Sequence, residues 1–253
     1  MKNYILLVKA LFIAHKKYYT ISNTPLHLVL CSKISYFITP FFIYLKVKPN
    51  FITMMNFILS VISIMILLFA SHYFVWAIII YIFYKILDFV DGSIARYNSI
   101  STFYGRFIDG LADIFFQSFF IFALSFYYFI KLQDNNLLLI GISAAVLTCF
   151  DTFIYDRYSA ITRWMNNDLN LNIKPNIKSK NFINLKIILL YQDIIFFLVM
   201  LLFVDSIDLS YLKIIIYLIF IITITSAIHN IVFHLIFSYK NLNYFSKKKK
   251  VRP

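Results

Sequence analysis

Glutamate is absent from this 253-residue chain: all 11 of its acidic residues are aspartate. Charged residues of either sign make up only 14% of it and apolar residues 61%, where a soluble domain carries about 25% and about 45–50%. That imbalance excludes a disordered chain and exceeds what one soluble core needs, so a polytopic membrane protein is expected. Cysteine is nearly missing as well. Cys31 and Cys149 stand alone without a C-x-x-C spacing, which argues against a disulfide scaffold or a thiolate metal site. There is no G-x-S-x-G turn and no P-loop, which disfavours a serine hydrolase and a P-loop nucleotidase. Residues 1–14 hold an apolar stretch too short to span, without a small-residue cleavage site, so no cleaved leader is expected. Glycine occurs four times only, and three of the four (Gly92, Gly105 and Gly110) fall in the window that also holds four of the aspartates.

Six stretches are long and apolar enough to cross a bilayer: 52–70, 73–97, 106–130, 137–156, 185–204 and 211–237. The segment 20–48 mixes Ser, Thr, His and Lys with apolar residues and is interrupted by Pro25 and Pro40. We read it as a helix lying at the membrane interface. The expected fold class is therefore all-α: a polytopic membrane protein of six transmembrane helices preceded by an interfacial N-terminal helix. Three regions follow, an N-terminal interfacial segment 1–48, a six-helix domain 49–240 and a basic tail 241–253. Connections are short except the polar stretch 157–184, and no internal repeat is apparent.

Basic residues outnumber acidic ones by 24 to 11. In the six-span arrangement, 21 Lys and Arg fall on one side and only Lys131 and Lys213 on the other, with Lys85 inside the second span. The positive-inside rule then puts both termini in the cytoplasm. This bias accounts for the basic charge without a nucleic-acid partner, and the run Lys247 to Lys250 reads as a topology and headgroup anchor.

Four aspartates, Asp88, Asp91, Asp109 and Asp113, lie within 26 residues where the second span gives way to the third. Asp88 and Asp91 are three apart and share a helix face; Asp109 and Asp113 are four apart and do the same. A short polar turn between the helices lets the four converge near the cytoplasmic ends of two spans. Taken singly, each is as readily explained by solvation at a helix end or by pairing with Arg96 or Arg106. Four unpaired carboxylates inside a span would cost on the order of 10 kcal/mol, so they need shallow placement, water or cations. An all-oxygen, multiply negative set suits Mg²⁺, Mn²⁺ or Ca²⁺ and not zinc. Gly92, Ala95, Gly105, Gly110 and Ala112 would let a ligand approach the backbone closely.

The spacing carries a resemblance. Asp88-x2-Asp91-Gly92-x2-Ala95-Arg96-x8-Gly105-x3-Asp109-x3-Asp113 matches every fixed position of the signature of CDP-alcohol phosphotransferases. Pro49-Asn50-Phe51-Ile52-Thr53 stands where that family opens its first span with Pro-Asn-x-(Ile/Leu)-Thr. The chain thus resembles that family over most of residues 20–240. The resemblance implies an integral, multi-pass membrane enzyme that moves a substituted phosphate group from a CDP-linked donor to an alcohol acceptor, releasing CMP. CDP-diacylglycerol is the expected donor and polar-lipid synthesis the expected setting. It implies that Asp88, Asp91 and Asp109 hold Mg²⁺ or Mn²⁺, two ions being expected, and that Asp113 shares the second and accepts the acceptor's proton. Asn50, Gly92, Ala95, Arg96 and Gly105 would meet the CDP part of the donor. It also implies a homodimer, membrane lipids as partners and a site facing the cytoplasm, here expected at a bacterial inner membrane. Two metal ions about 3.5–4 Å apart clamp attacking and leaving oxygens in such transfers.

Other polar residues are less telling. Asp151, Asp156, Arg157 and Arg163 gather at the end of the fourth span; Asp151, Arg157 and Arg163 are candidates for binding the acceptor, or else members of an interfacial charge network. Lys85 precedes Asp88 by one turn and can balance its charge or touch a phosphate. Asp193 lies within the fifth predicted span, where it is expensive unless it pairs, as with Lys186. His229 and His234 are five apart and do not share a face. Rival readings of the aspartates are an ion or proton transporter and an intramembrane prenyltransferase; the first predicts charges at the bilayer midplane, the second denser aspartate motifs.

Overall fold

The computed structural model describes residues 4–8, 11, 26–98, 103–169 and 209–250, and apart from short turns these are helical with no strand among them. The helices are α1 (Leu26–Tyr44), α2 (Pro49–Phe69), α3 (Phe74–Tyr97), α4 (Phe103–Leu132), α5 (Asn135–Leu169) and α6 (Leu209–Lys250). Five contain stretches able to cross a membrane: Pro49–Phe69, Ser71–Tyr97, Phe107–Leu132, Asn135–Asn166 and Tyr211–Lys240. The predicted span 185–204, with Asp193, lies outside the described residues. The all-α membrane architecture read from the composition is therefore what the chain forms.

Local sequence sets the joints. After α1 the chain closes with Lys46 N–H on the Ile43 carbonyl at 3.0 Å and Val47 N–H on the Phe42 carbonyl at 3.1 Å. This is a Schellman closure, with Lys46 at φ 54° in the left-handed position that glycine usually fills. Pro49 then starts α2 at the helix position where a missing N–H costs nothing. The α4–α5 joint turns on Gln133 at φ 51° and on Asp134, whose Oδ1 accepts the Asn136 N–H at 3.0 Å as a helix cap. Pro40 does not break α1, which runs straight through it.

α1 is apolar outside and polar inside. Leu30, Ile34, Phe37, Phe41 and Tyr44 are exposed, at helical spacing, while Ser32, Ser35 and Thr39 are buried. Each buried hydroxyl donates to a carbonyl three or four residues back in its own helix, so burial leaves no orphan donor. An outward apolar stripe of this kind suits a helix set at a membrane boundary. Buried beside these hydroxyls is Cys31; burial pushes its thiol up to about 11, with the Lys85 ammonium pulling the other way, so it is no thiolate ligand.

α4 and α5 form an antiparallel hairpin centred on Gln133. Two of the four glycines lie on its seam. A Cβ at Gly141 would stand 2.0 Å from Ser125 Cβ, and one at Gly110 would stand 3.8 Å from Asp156 Oδ2. The helices are in van der Waals contact at the first point and leave room at the second. α5 and α6 run parallel instead. Asp134–Lys213, Asp151–Asn230, Tyr155–His234 and Tyr158–Phe237 all touch, each pair 79 residues apart in sequence. Parallel neighbours are what the six-span arrangement requires of these two helices. Asp134 also receives the Tyr217 hydroxyl at 3.0 Å, and the Lys213 ammonium at 2.6 Å holds its carboxyl below the ordinary carboxylate range.

One expectation needs correction. The polar stretch from residue 157 was read as the start of a long connection, yet α5 continues through it to Leu169. Residues 157–169 contain no glycine or proline, and Tyr158, Ser159 and Thr162 form a buried strip along them. Polar composition there marks a helix that outruns the apolar layer. α6 likewise extends to Lys250.

Candidate active site

α2 is the wedge that opens the site. It packs closely on both α3 and α4, whereas the backbones of α3 and α4 approach each other only sparsely. Between those two lie aromatic rings: Tyr84 and Phe116 have centroids 4.1 Å apart, Tyr81 and Phe116 5.2 Å, and Tyr81 and Phe120 4.3 Å. The rings hold the two helices apart. Toward the end of the bundle that α2 enters, the ring-bearing positions give way to aspartate and glycine, and a polar space replaces the rings.

Into that space α3 places Asp88 and Asp91, and α4 places Asp109. One carboxylate oxygen of each lies within 4.8 Å of the others, in a grouping that can hold a metal ion. The donor set is all oxygen, which fits a hard divalent cation such as Mg²⁺ or Mn²⁺. Asp91 is buried, and its Oδ2 accepts the Thr53 hydroxyl of α2 at 2.8 Å. A hydrogen bond of this kind, from outside the ligand set, orients a coordinating carboxylate. It also gives the Pro-Asn-x-Ile-Thr stretch a physical purpose, since Pro49 fixes the start of α2 and Thr53 then falls one turn inside, against Asp91.

Asn56, one turn deeper on the same face of α2, is buried, and its Oδ1 has no hydrogen-bond partner among the described residues. The Thr53–Asp91 contact and the antiparallel course of α2 and α3 put Asn56 at the level of Asp88. An unmatched oxygen at the floor of a carboxylate group again fits a site built to receive a cation.

Asp113 is near these three but is not a member of the 4.8 Å grouping. Its Oδ1 accepts the Tyr84 hydroxyl at 2.9 Å and lies 3.9 Å from Lys85 Nζ. Lys85, which the sequence offers either as a counter-charge to Asp88 or as a phosphate contact, makes its ion pair with Asp113 across the gap. Gly92 is half-buried, and a Cβ there would meet Arg96 Nη1 at 3.3 Å. Arg96 itself is exposed and reaches Ser93 Oγ at 3.3 Å. Asn50 is exposed on the first turn of α2, and Ala95 and Gly105 are half-buried.

The polar group of α5 does not act as one cluster. Asp151 accepts Asn230 Nδ2 at 3.0 Å and so is tied to α6. Asp156, five positions on and about 140° around the helix, is near Gly110 of α4. Arg157 and Arg163 are exposed. Tyr84, Asn56 and the approach of Asp156 to Gly110 were not anticipated from sequence. The signal for Tyr84 was its position four residues before Asp88 on the same face, lost among 19 tyrosines.

The arrangement offers a cation-binding carboxylate group, a separately held fourth carboxylate and an arginine-bearing rim at one end of a membrane bundle. No curated protein matches the chain. A family model described as CDP-alcohol phosphatidyltransferase matches residues 46–236.

Proposed function

The chain belongs to the CDP-alcohol phosphatidyltransferase family, and from that premise we propose that it transfers a phosphatidyl or other substituted phosphate group from a CDP-linked donor, foremost CDP-diacylglycerol, to an alcohol. The observation that carries this reading is the meeting of Asp88, Asp91 and Asp109 within 4.8 Å at the end of two membrane helices.

Asp88, Asp91 and Asp109 hold the divalent ion, with Asp113 next to them to share a second. A divalent cation held by these carboxylates would supply screening of the pyrophosphate charge and of the charge that develops on the leaving CMP. The protein's own groups do the rest. Arg96, with the cleared backbone at Gly92 and Ala95, receives the anionic CDP moiety, joined by Asn50 and Gly105 at the rim. Asp113 takes the proton from the acceptor hydroxyl, a role open to a carboxylate within hydrogen-bond reach. Positioning and fixed charge supply most of the acceleration in phosphoryl transfer. A site at the end of the bundle lets acyl chains stay in the bilayer while the headgroup reacts. Exposed Arg157 and Arg163 are suited to an anionic acceptor.

The excess of Lys and Arg on one side supports a cytoplasmic site; a bacterial inner membrane and polar-lipid synthesis are the setting proposed with the family reading. The family resemblance supports a homodimer.

The test is CMP release by purified protein in detergent, given CDP-diacylglycerol and a set of alcohols (glycerol 3-phosphate, serine, inositol and inositol phosphate). Release should require Mg²⁺ or Mn²⁺ and stop with EDTA. Asp113→Asn should abolish transfer while keeping metal-dependent donor binding; turnover like wild type would sink the base assignment. Ion flux or prenyl transfer without CMP release would favour the rival classes.

A further inference from the structure

The surroundings of Asp113 differ from those of the other three aspartates. Its Oδ1 is met by two donors from α3, the Tyr84 hydroxyl at 2.9 Å and the Lys85 ammonium at 3.9 Å. Tyr84 is 1% exposed, and its ring is gripped by Phe116, one turn beyond Asp113 on α4. The phenol therefore has little freedom to turn away. Lys85 is also largely covered, with 12% of its side chain exposed, whereas Asp113 keeps 36%. Among the described residues no other side chain donates to Asp113 or pairs with it, so its Oδ2 is the oxygen left to meet a ligand.

We propose that Tyr84, seconded by Lys85, is a positioning residue that commits Asp113 Oδ1 to the protein and presents Oδ2 to the acceptor hydroxyl. This rests on the function proposed above. In the step served, the acceptor O–H bond breaks and its proton passes to Asp113 Oδ2. The acceptor oxygen forms its bond to the donor phosphorus, and the bond from phosphorus to CMP breaks with its electron pair leaving on CMP. Tyr84 keeps its own proton throughout. Its effect is on orientation, and a base turned away from its proton loses rate without losing substrate affinity.

A hydrogen bond that only tied α3 to α4 would behave otherwise, and Tyr84→Phe separates the two because it keeps the ring and its contact with Phe116. With CDP-diacylglycerol and the same alcohol set, kcat should fall by about 10- to 100-fold, while KM for the donor stays within about twofold. Mn²⁺ binding at the Asp88, Asp91 and Asp109 group, which Tyr84 does not touch, followed by electron paramagnetic resonance without substrate, should also stay at the wild-type value. Lys85→Gln should shift kcat in the same direction by a smaller factor, and it supplies the test if Tyr84→Phe proves unstable. Tyr81→Phe, buried against the same Phe116 ring, is the packing control and should turn over like wild type. The proposal is overturned if Tyr84→Phe keeps wild-type kcat, or if KM and Mn²⁺ affinity worsen in step with kcat. Failure of the wild-type protein to release CMP is a separate result, which overturns the functional reading itself and this proposal with it.

Discussion

Replacing Gly141 by alanine introduces one carbon where the α4–α5 hairpin has no space for it. The new Cβ would lie 2.0 Å from Ser125 Cβ and 2.5 Å from Ser125 Oγ. Two carbons rest at about 3.5–4.0 Å, so the helices must part locally by about 1.5–2 Å or one must rotate. Neither neighbour is the far end of a flexible chain; both belong to a side chain fixed close to its backbone. Overpacking of this kind costs about 1–3 kcal/mol. For a chain of this size that is a drop in thermal midpoint of about 2–4 °C per kcal/mol. The compensating change is Ser125→Gly, which removes both clashing atoms. Among the described residues Ser125 donates only to the Phe122 carbonyl of its own helix, so its loss strands no partner there, and the single variant should cost about 0.5 kcal/mol through helix propensity. Unfolding of detergent-solubilised protein, followed by size-exclusion chromatography after heating, should therefore rank Gly141→Ala lowest and the double variant above it. The close-contact reasoning is refuted if Gly141→Ala melts with wild type, or if Ser125→Gly fails to restore it.

Two further expectations follow from the geometry. Thr53→Val keeps the shape of the side chain but takes the hydroxyl from Asp91, and loss of such an orienting bond should weaken Mn²⁺ binding by about 10- to 100-fold; an unchanged Mn²⁺ titration would count against it. Asp134→Asn should lower the thermal midpoint slightly, in a salt-sensitive way, because its pair with Lys213 is exposed at the lysine. Since Lys213 holds Asp134 below its ordinary value of 3.8, the pair's contribution is present at all pH above that value and lost as pH falls through the lowered one. The gap between variant and wild type should thus be flat from pH 8 to 5, and a gap that changes over this range would contradict the assignment.

The carboxylate group was legible because helical spacing alone fixes a face. Asp88 with Asp91, and Asp109 near Asp113, needed only the assumption of two neighbouring helices. The partners of those residues were not legible. Tyr84 reaches Asp113 across a gap whose width is set by aromatic rings, and no spacing in the chain encodes that width. Gly141 is the one glycine outside the aspartate window, and its purpose depends on the α4–α5 register, which is a tertiary quantity. The grouping of Asp151 with Asp156 was avoidable, since five positions on a helix separate two side chains by more than a right angle. The extension of α5 was hidden for another reason. Polar residues past the apolar layer read as loop, while the strip of Tyr158, Ser159 and Thr162 that keeps them helical is only three residues wide.

The shared offset of 79 residues between α5 and α6 bears on how the chain tolerates change in length. Contacts at Asp134, Asp151, Tyr155 and Tyr158 hold at once only while each helix keeps its residue count between them. Deleting one residue between Asn135 and Phe150 would turn everything beyond it by about 100° and draw it back by about 1.5 Å. The first contact would survive and the other three would separate together, carrying Asp156 away from Gly110. A matched deletion in α6 would restore the contacts between these two helices but not the seam of α5 with α4, so single-residue changes of length should be poorly tolerated in α5.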